Sequence, residues 1–143
     1  MSLNDQGLLA VAHLARHLEK ALAEDGMTLA QYRVLAFLSQ GEWAASKLAE
    51  RLAVSRPSVT ALVDGLVEQG WVERKPSEAD RRRVLHELTT DGRRRLEQAT
   101  AVLAEGIHGL LDHLHDDERE RAEDGLALLH VAVRRHFEAA VAQ

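Results

Sequence analysis

Three observations predict a mainly α fold that carries one small β-hairpin. Apolar residues recur at alternating spacings of three and four over most of the 143 residues, as one face of a 3.6-residue helix requires. Between residues 71 and 88 that period gives way to a two-residue alternation, in two short runs separated by the turn-forming segment "PSEADRR". Only five aromatics and two prolines stand among abundant Ala, Leu, Arg and Glu, a set rich in helix formers and poor in breakers. Apolar residues make up 45% and charged ones 29%, a balance that supports a buried core and argues against disorder. The length suits one domain, residues 1–143.

The first helix spans residues 6–24, where Leu8, Val11, Ala15, Leu18 and Leu22 make one stripe and Asp25 and Gly26 end it. A second opens at Thr28 with Gln31 three residues on, a capping box, and buries Leu29, Tyr32, Val34, Leu35 and Leu38 before Gly41. "AASKLAERLAV" predicts a short third helix with Leu48, Ala49 and Leu52 inward. The fourth starts at Ser55, a good N-cap, with Pro57 in the first turn, where its missing N–H costs nothing. Its stripe is Val59, Leu62, Val63, Leu66 and Val67, and Gly70 suits its stop. "WVERK" and "RVLHEL" then predict two antiparallel strands, which puts Arg81, Arg82 and Arg83 at the far end of a hairpin. Helical patterning resumes in "TTDGRRRLEQATAVLAEGIHGLLDHL". A last helix is expected to be capped at Asp116 or Asp117, with Ala122, Leu126, Leu129, Val133, Phe137 and Ala140 as its stripe.

Several function classes are disfavoured. No apolar run approaches the roughly 20 residues of a membrane span, and the N-terminus lacks the basic start of a signal peptide, so a cytoplasmic protein is expected. The absence of cysteine excludes disulfides, thiolate zinc sites and thiol redox sensing. No Gly-rich phosphate loop, nucleophile elbow or H-E-x-x-H is present, and an enzyme is not expected. The net charge of -5 hides an asymmetry: residues 28–95 hold twelve Lys/Arg against nine Asp/Glu, so a mildly basic middle sits in an acidic frame.

A short helix, a turn at Ala53 to Ser55, a second helix and a hairpin follow the order of a winged helix-turn-helix. The second helix of such a pair fits a DNA major groove, while arginines at a hairpin tip reach the neighbouring minor groove. Ser55, Arg56, Ser58 and Thr60 are then candidates for contacts to phosphates or base edges, and Lys47 for phosphates crossed by the preceding helix. Ser55 is equally explained as a cap. Arg93, Arg94 and Arg95 read as a solvated helix face.

"LVDGLVEQGWVERK", then "DRRRVLHEL" and "LTTDG", resemble the MarR family of bacterial transcriptional regulators over essentially the whole chain. The resemblance implies a winged helix-turn-helix with long N- and C-terminal dimerisation helices: a DNA-binding lobe at 28–95, and dimer helices in 1–27 and 96–143. It implies that Arg82 enters the minor groove, that Asp80 shapes the wing, and that Arg81 and Arg83 add phosphate contacts. It further implies a homodimeric, ligand-responsive repressor on palindromic double-stranded DNA, with a small-molecule effector and no cofactor. One departure is the pair Ala61 and Gly65, where family members often carry basic residues. Trp43, Trp71, Tyr32 and Phe37 are candidate walls of an effector pocket, or else core.

Two alternatives stand beside this reading. Eight histidines include His13 and His17, four apart on a helix, and His113 and His115 near acidic residues, so a zinc-responsive regulator is one. A winged-helix protein-interaction module that has lost DNA binding is the other.

Overall fold

The computed structural model describes residues 5–141. Its elements are α1 (Asp5–Glu24), α2 (Leu29–Leu38), β1 (Trp43–Ala44), α3 (Ala45–Leu52), α4 (Arg56–Glu68), β2 (Val72–Pro76), β3 (Val84–Leu88), α5 (Thr90–Leu111) and α6 (Asp116–Val141). The mainly helical class with a small antiparallel sheet is as expected from the sequence. The chain divides into two compact units, one ending at Ala104 and one beginning at Glu105, with α5 running from the first into the second.

Local chemistry explains most boundaries. Thr28 Oγ1 accepts the Gln31 N–H at 3.1 Å while Gln31 Oε1 accepts the Thr28 N–H at 2.9 Å, the reciprocal box that starts α2. Between α3 and α4, Ala53 adopts the left-handed conformation, with φ 54°. That conformation turns the Ala53 and Val54 N–H groups back onto Glu50 O and Ala49 O, which closes α3 so tightly that Ser55, two residues on, already caps α4. Gly70 ends α4 at φ 78°, a value that side chains rarely tolerate.

The core of the first unit draws on every element between α1 and the start of α5. Leu22, Met27, Val34, Leu35, Leu38, Leu48, Leu52, Val59, Val63, Leu66, Val72, Leu88 and Ala99 are buried together. Each large side chain among them contributes about 1.5–3 kcal/mol of burial. Tyr32, Phe37, Trp43 and Trp71 are half-buried against this cluster, so the scarce aromatics serve the core. In the second unit, Arg119 bridges Asp112 at 2.8 Å and Glu123 at 3.2 Å across the turn into α6.

The structure departs from expectation at three places. The sheet has three strands in the order β1-β3-β2, because Trp43 and Ala44 pair with His86 and Leu85. The last helix is capped one residue earlier than expected: Glu118 Oε2 accepts the His115 N–H at 3.0 Å, which makes His115 the cap. Arg95 is not part of a solvated face. Its guanidinium donates to Asp25 Oδ2 at 2.7 Å and lies 5.3 Å over the Trp71 ring, tying the end of α1 to α5.

Candidate nucleic-acid interface

The start of α4 and the hairpin supply the functional side chains, and each is held by its own backbone chemistry. Ser55 Oγ accepts the Ser58 N–H at 3.3 Å and shares a hydrogen bond with Ser58 Oγ at 2.9 Å. Thr60 Oγ1 donates to Arg56 O at 3.0 Å, leaving its lone pairs to accept. These three hydroxyls therefore already have partners within the first turns of the helix. Arg56 and Thr60 are exposed.

Asp80 organises the hairpin tip. Its Oδ1 accepts the Arg82 N–H at 3.1 Å, its carbonyl accepts the Arg83 N–H at 2.9 Å, and its own N–H donates to Ser77 Oγ at 3.3 Å. Ser77 N–H in turn donates to Arg83 O at 2.9 Å. The N–H groups of Ser77, Asp80, Arg82 and Arg83 are thus satisfied within the tip while its arginine side chains are left exposed.

The two regions meet across an open cleft of about 560 Å³ between α4, the start of α3 and the sheet. Arg56 and Thr60 line it from α4; Arg74, Arg82, Arg83 and His86 line it from the hairpin. Arg81 faces a different groove with Pro76, Ser77 and Glu78. Lys47 lines neither and bridges Glu50 at 3.6 Å.

Charge pairing separates the cations into two groups. Lys47, Arg74, Lys75, Arg94 and Arg95 each reach a carboxylate. The Glu42 and Glu87 carboxylates hold the Lys75 ammonium well above the ordinary lysine range. Among the described residues, no carboxylate lies within ion-pair distance of Arg56, Arg81, Arg82 or Arg83. Unpaired guanidiniums around one cleft repel one another and raise the local potential, which makes the cleft a receptor for an anion with several charged oxygens. Arg fits phosphate geometry better than Lys, through two parallel N–H donors.

Sequence reasoning missed Arg74, Asp64 and His86. Arg74 donates to Asp64 Oδ1 of α4 and, through Nε, to His86 Nε2 at 3.4 Å. His86 Nδ1 donates to Trp43 O at 3.0 Å, which assigns the neutral Nδ1–H tautomer. Strand parity was the available signal. Val84, His86 and Leu88 share one face of β3, and Leu88 is core, so a histidine stands where that pattern asks for an apolar side chain.

His13, His17, His113 and His115 are all exposed, and His115 is occupied as a helix cap through its backbone. Among the described residues, no three His, Asp or Glu side chains converge as a metal site would require.

A family model described as the MarR family matches residues 25–83. The HTH-type transcriptional repressor YetL of Bacillus subtilis is 29% identical over 106 residues, covering 72% of this chain and 64% of that protein. The multiple antibiotic resistance protein MarR of Escherichia coli is 34% identical over 94 residues, 65% of each chain. The match thus spans slightly under two thirds of either relative. Among solved structures, apo MarR of E. coli superposes with a TM-score of 0.78 at 28% identity, covering 90% of this chain and 98% of that one. A cysteine-to-serine mutant of the same protein, complexed with operator DNA, superposes with a TM-score of 0.65 at 31% identity over 85% of this chain and 88% of that one.

Proposed function

The chain belongs to the MarR family, and on that premise we propose that it is a sequence-specific DNA-binding transcriptional regulator, a ligand-responsive repressor acting as a cytoplasmic homodimer. The single observation that carries this reading is the cleft of unpaired guanidiniums, Arg56, Arg82 and Arg83, between α4 and the hairpin. Such cations suit the phosphates of a duplex, with α4 in the major groove and the wing in the adjacent minor groove. The E. coli relative has been solved in complex with operator DNA, which supports DNA binding for this chain.

The roles divide by chemistry. Arg82 reaches into the minor groove, where narrow A·T tracts concentrate negative potential. Arg81 and Arg83 contact phosphates on either side, and Asp80 keeps the tip in shape. Ser55, Arg56, Ser58 and Thr60 present the start of α4 to phosphates and base edges, with Lys47 at the flanking backbone. With Ala61 and Gly65 offering no charge, base readout is sparse and shape readout by the wing carries more of the specificity. A two-fold dimer would set two α4 helices about one helical turn apart on a palindromic site. An effector acts by binding one spacing of the two lobes better than the other; no cofactor or catalytic step is involved. No described helix is long and apolar enough to cross a membrane. The zinc-responsive alternative and the interaction module without DNA binding are not favoured, since no metal-competent cluster converges among the described residues and the arginine cleft is intact.

The test is selection of duplexes from a random pool, followed by titration at several salt concentrations. A palindromic winner is expected whose affinity falls with salt at a slope of about -0.9 per phosphate neutralised. Arg82→Ala should lower affinity at least about tenfold, with the circular dichroism melt unchanged. Failure of the wild type to enrich any duplex, after removal of bound small molecules, sinks the reading.

A further inference from the structure

His86 is the one titratable side chain in the sheet that is nearly closed to solvent, 4% exposed, and no DNA contact described above uses it. Its position is central. β3 is the middle strand, and His86 pairs with Trp43 of β1 on one side and Arg74 of β2 on the other. Both ring nitrogens are engaged, Nδ1–H with the Trp43 carbonyl and Nε2 with Arg74 Nε–H. The far end of Arg74 is bound to Asp64 on α4. A continuous chain of polar contacts therefore runs from β1 through His86 and Arg74 to the helix that faces DNA in the proposed function.

We propose that His86 is a positioning residue for DNA binding: its neutral ring fixes Arg74 against Asp64, and so sets the angle between the arginine-bearing wing and α4, a hold that protonation of the ring undoes. The inference rests on the DNA-binding reading for its consequence, but the hold itself does not.

The physical case begins with what the Arg74–Asp64 pair lacks. Both side chains are more than a third exposed, and such pairs contribute little by themselves, largely because two mobile side chains must be ordered. Anchoring Arg74 Nε on a buried acceptor removes part of that ordering cost. His86 Nε2 can accept only while it carries no proton. Once protonated it becomes a donor facing a donor, and it adds a positive charge beside Arg74. The other charged groups that line the cleft with the ring offer no relief: α4 contributes Arg56, with Asp64 already committed to Arg74, and the tip contributes Arg82 and Arg83. α3 contributes Ser46, and β1 contributes only the Trp43 carbonyl. Burial pushes the ring below the ordinary histidine value, and the Arg74 charge pushes it further, against the opposing bond to Trp43 O. The neutral form is therefore the resident state near neutral pH, and the hold fails as acidity rises. A DNA phosphate could in principle reward an imidazolium, but with Nδ1–H committed to Trp43 and Nε2 turned toward Arg74, the ring presents no free N–H to it.

The experiment uses the full-length protein. Ring nitrogen spectra of 15N-labelled protein are recorded from pH 8 to 5, with the Arg74 Nε–H resonance followed in the same titration. Affinity for the selected duplex is measured over the same range for wild type, His86→Gln and His86→Val. Gln keeps an uncharged donor and acceptor; Val removes both. The Nδ1–H tautomer is expected at neutral pH, with Arg74 Nε–H moving as His86 titrates. Wild-type affinity should fall on acidification by about tenfold more than that of His86→Gln, which should match wild type at neutral pH. His86→Val should bind more weakly than wild type at neutral pH while keeping its fold. An Nε2–H tautomer, an Arg74 signal blind to His86, or identical pH profiles for wild type and His86→Gln overturns the proposal, as does a His86-dependent rise in affinity on acidification. If no duplex is bound at any pH, the DNA-binding reading fails and the spectra alone decide the hold.

Discussion

Gly92 is where the base of the hairpin meets α5, and a single methyl group there would have nowhere to go. A Cβ at this position would lie 1.9 Å from the Trp71 carbonyl oxygen, a backbone atom that no side-chain rotation can move. The approach is held by Thr89, whose hydroxyl donates to Gly70 O at 2.6 Å and accepts the Gly92 N–H at 2.9 Å. Gly92→Ala is expected to destabilise the first unit by about 1–3 kcal/mol, the cost of overpacking a fixed contact, as measured by urea unfolding. Gly109→Ala is the control: nothing lies within 4 Å of its added Cβ, so it should be neutral or stabilising. At this scale the sequence was informative where a residue acts on its neighbours. The Thr28 box and the Ser55 cap were readable because both partners lie within three residues. "LTTDG" carried a resemblance, but the reason for its glycine lies in Trp71, 21 positions away in sequence and visible only after folding. His86 likewise could be assigned to a face by parity, while its link to Asp64 through Arg74 could not.

Among the elements, α4 was the most legible and β1 the least. α4 has a cap, a proline in its first turn, a stripe of apolar residues and a glycine just past its end, four signals that agree. Its one inconsistency is Gly65, where an added Cβ meets nothing within 4 Å. Gly65→Ala should therefore raise stability by about 1 kcal/mol through helix propensity alone, seen as a higher denaturation midpoint with an unchanged slope. β1 is two residues long, too short to show any period, and it exists because β3 has a free edge to satisfy. The start of α6 was off by one for a different reason. Asp116, Asp117 and Glu118 all favour a helix N-terminus, so the local signal is degenerate, and the reach of Glu118 back to His115 decides it. His86 also gives the sheet a pH dependence of stability. Its native value lies below the ordinary one near 6.5, so the unfolded chain takes up a proton that the native ring refuses. That contribution is complete above about pH 6.5 and is lost as pH falls through the depressed native value, a loss that His86→Gln should abolish.

The molecule as a whole leaves apolar surface unexplained by its own core. On α1, Leu8 and Val11 are 54% and 60% exposed; on α6, Leu129 and Val133 are 59% and 54% exposed. These positions continue the stripes that the sequence predicts, and in the single chain they stand exposed. A second copy, as proposed above, would cover them. Leu129→Glu combined with Val133→Glu should convert a dimer to a monomer in sedimentation velocity and weaken binding to a palindromic duplex. A dimer that persists with unchanged affinity would place the subunit contact elsewhere.

By itself the sequence determined the order and kind of most elements, the capped helix starts and the arginine tip, because periodicity, capping and turn chemistry act over a few residues. Tertiary structure alone decided which cations are paired and which are free, since Lys75 finds Glu42, Arg74 finds Asp64 and Arg95 finds Asp25 only once distant segments are brought together. It also decided that a histidine sits at the centre of the sheet with both nitrogens committed. Charge pairing depends on distance in space and local structure on distance along the chain, so the sequence pointed to the arginines while only the fold showed that no carboxylate among the described residues answers them.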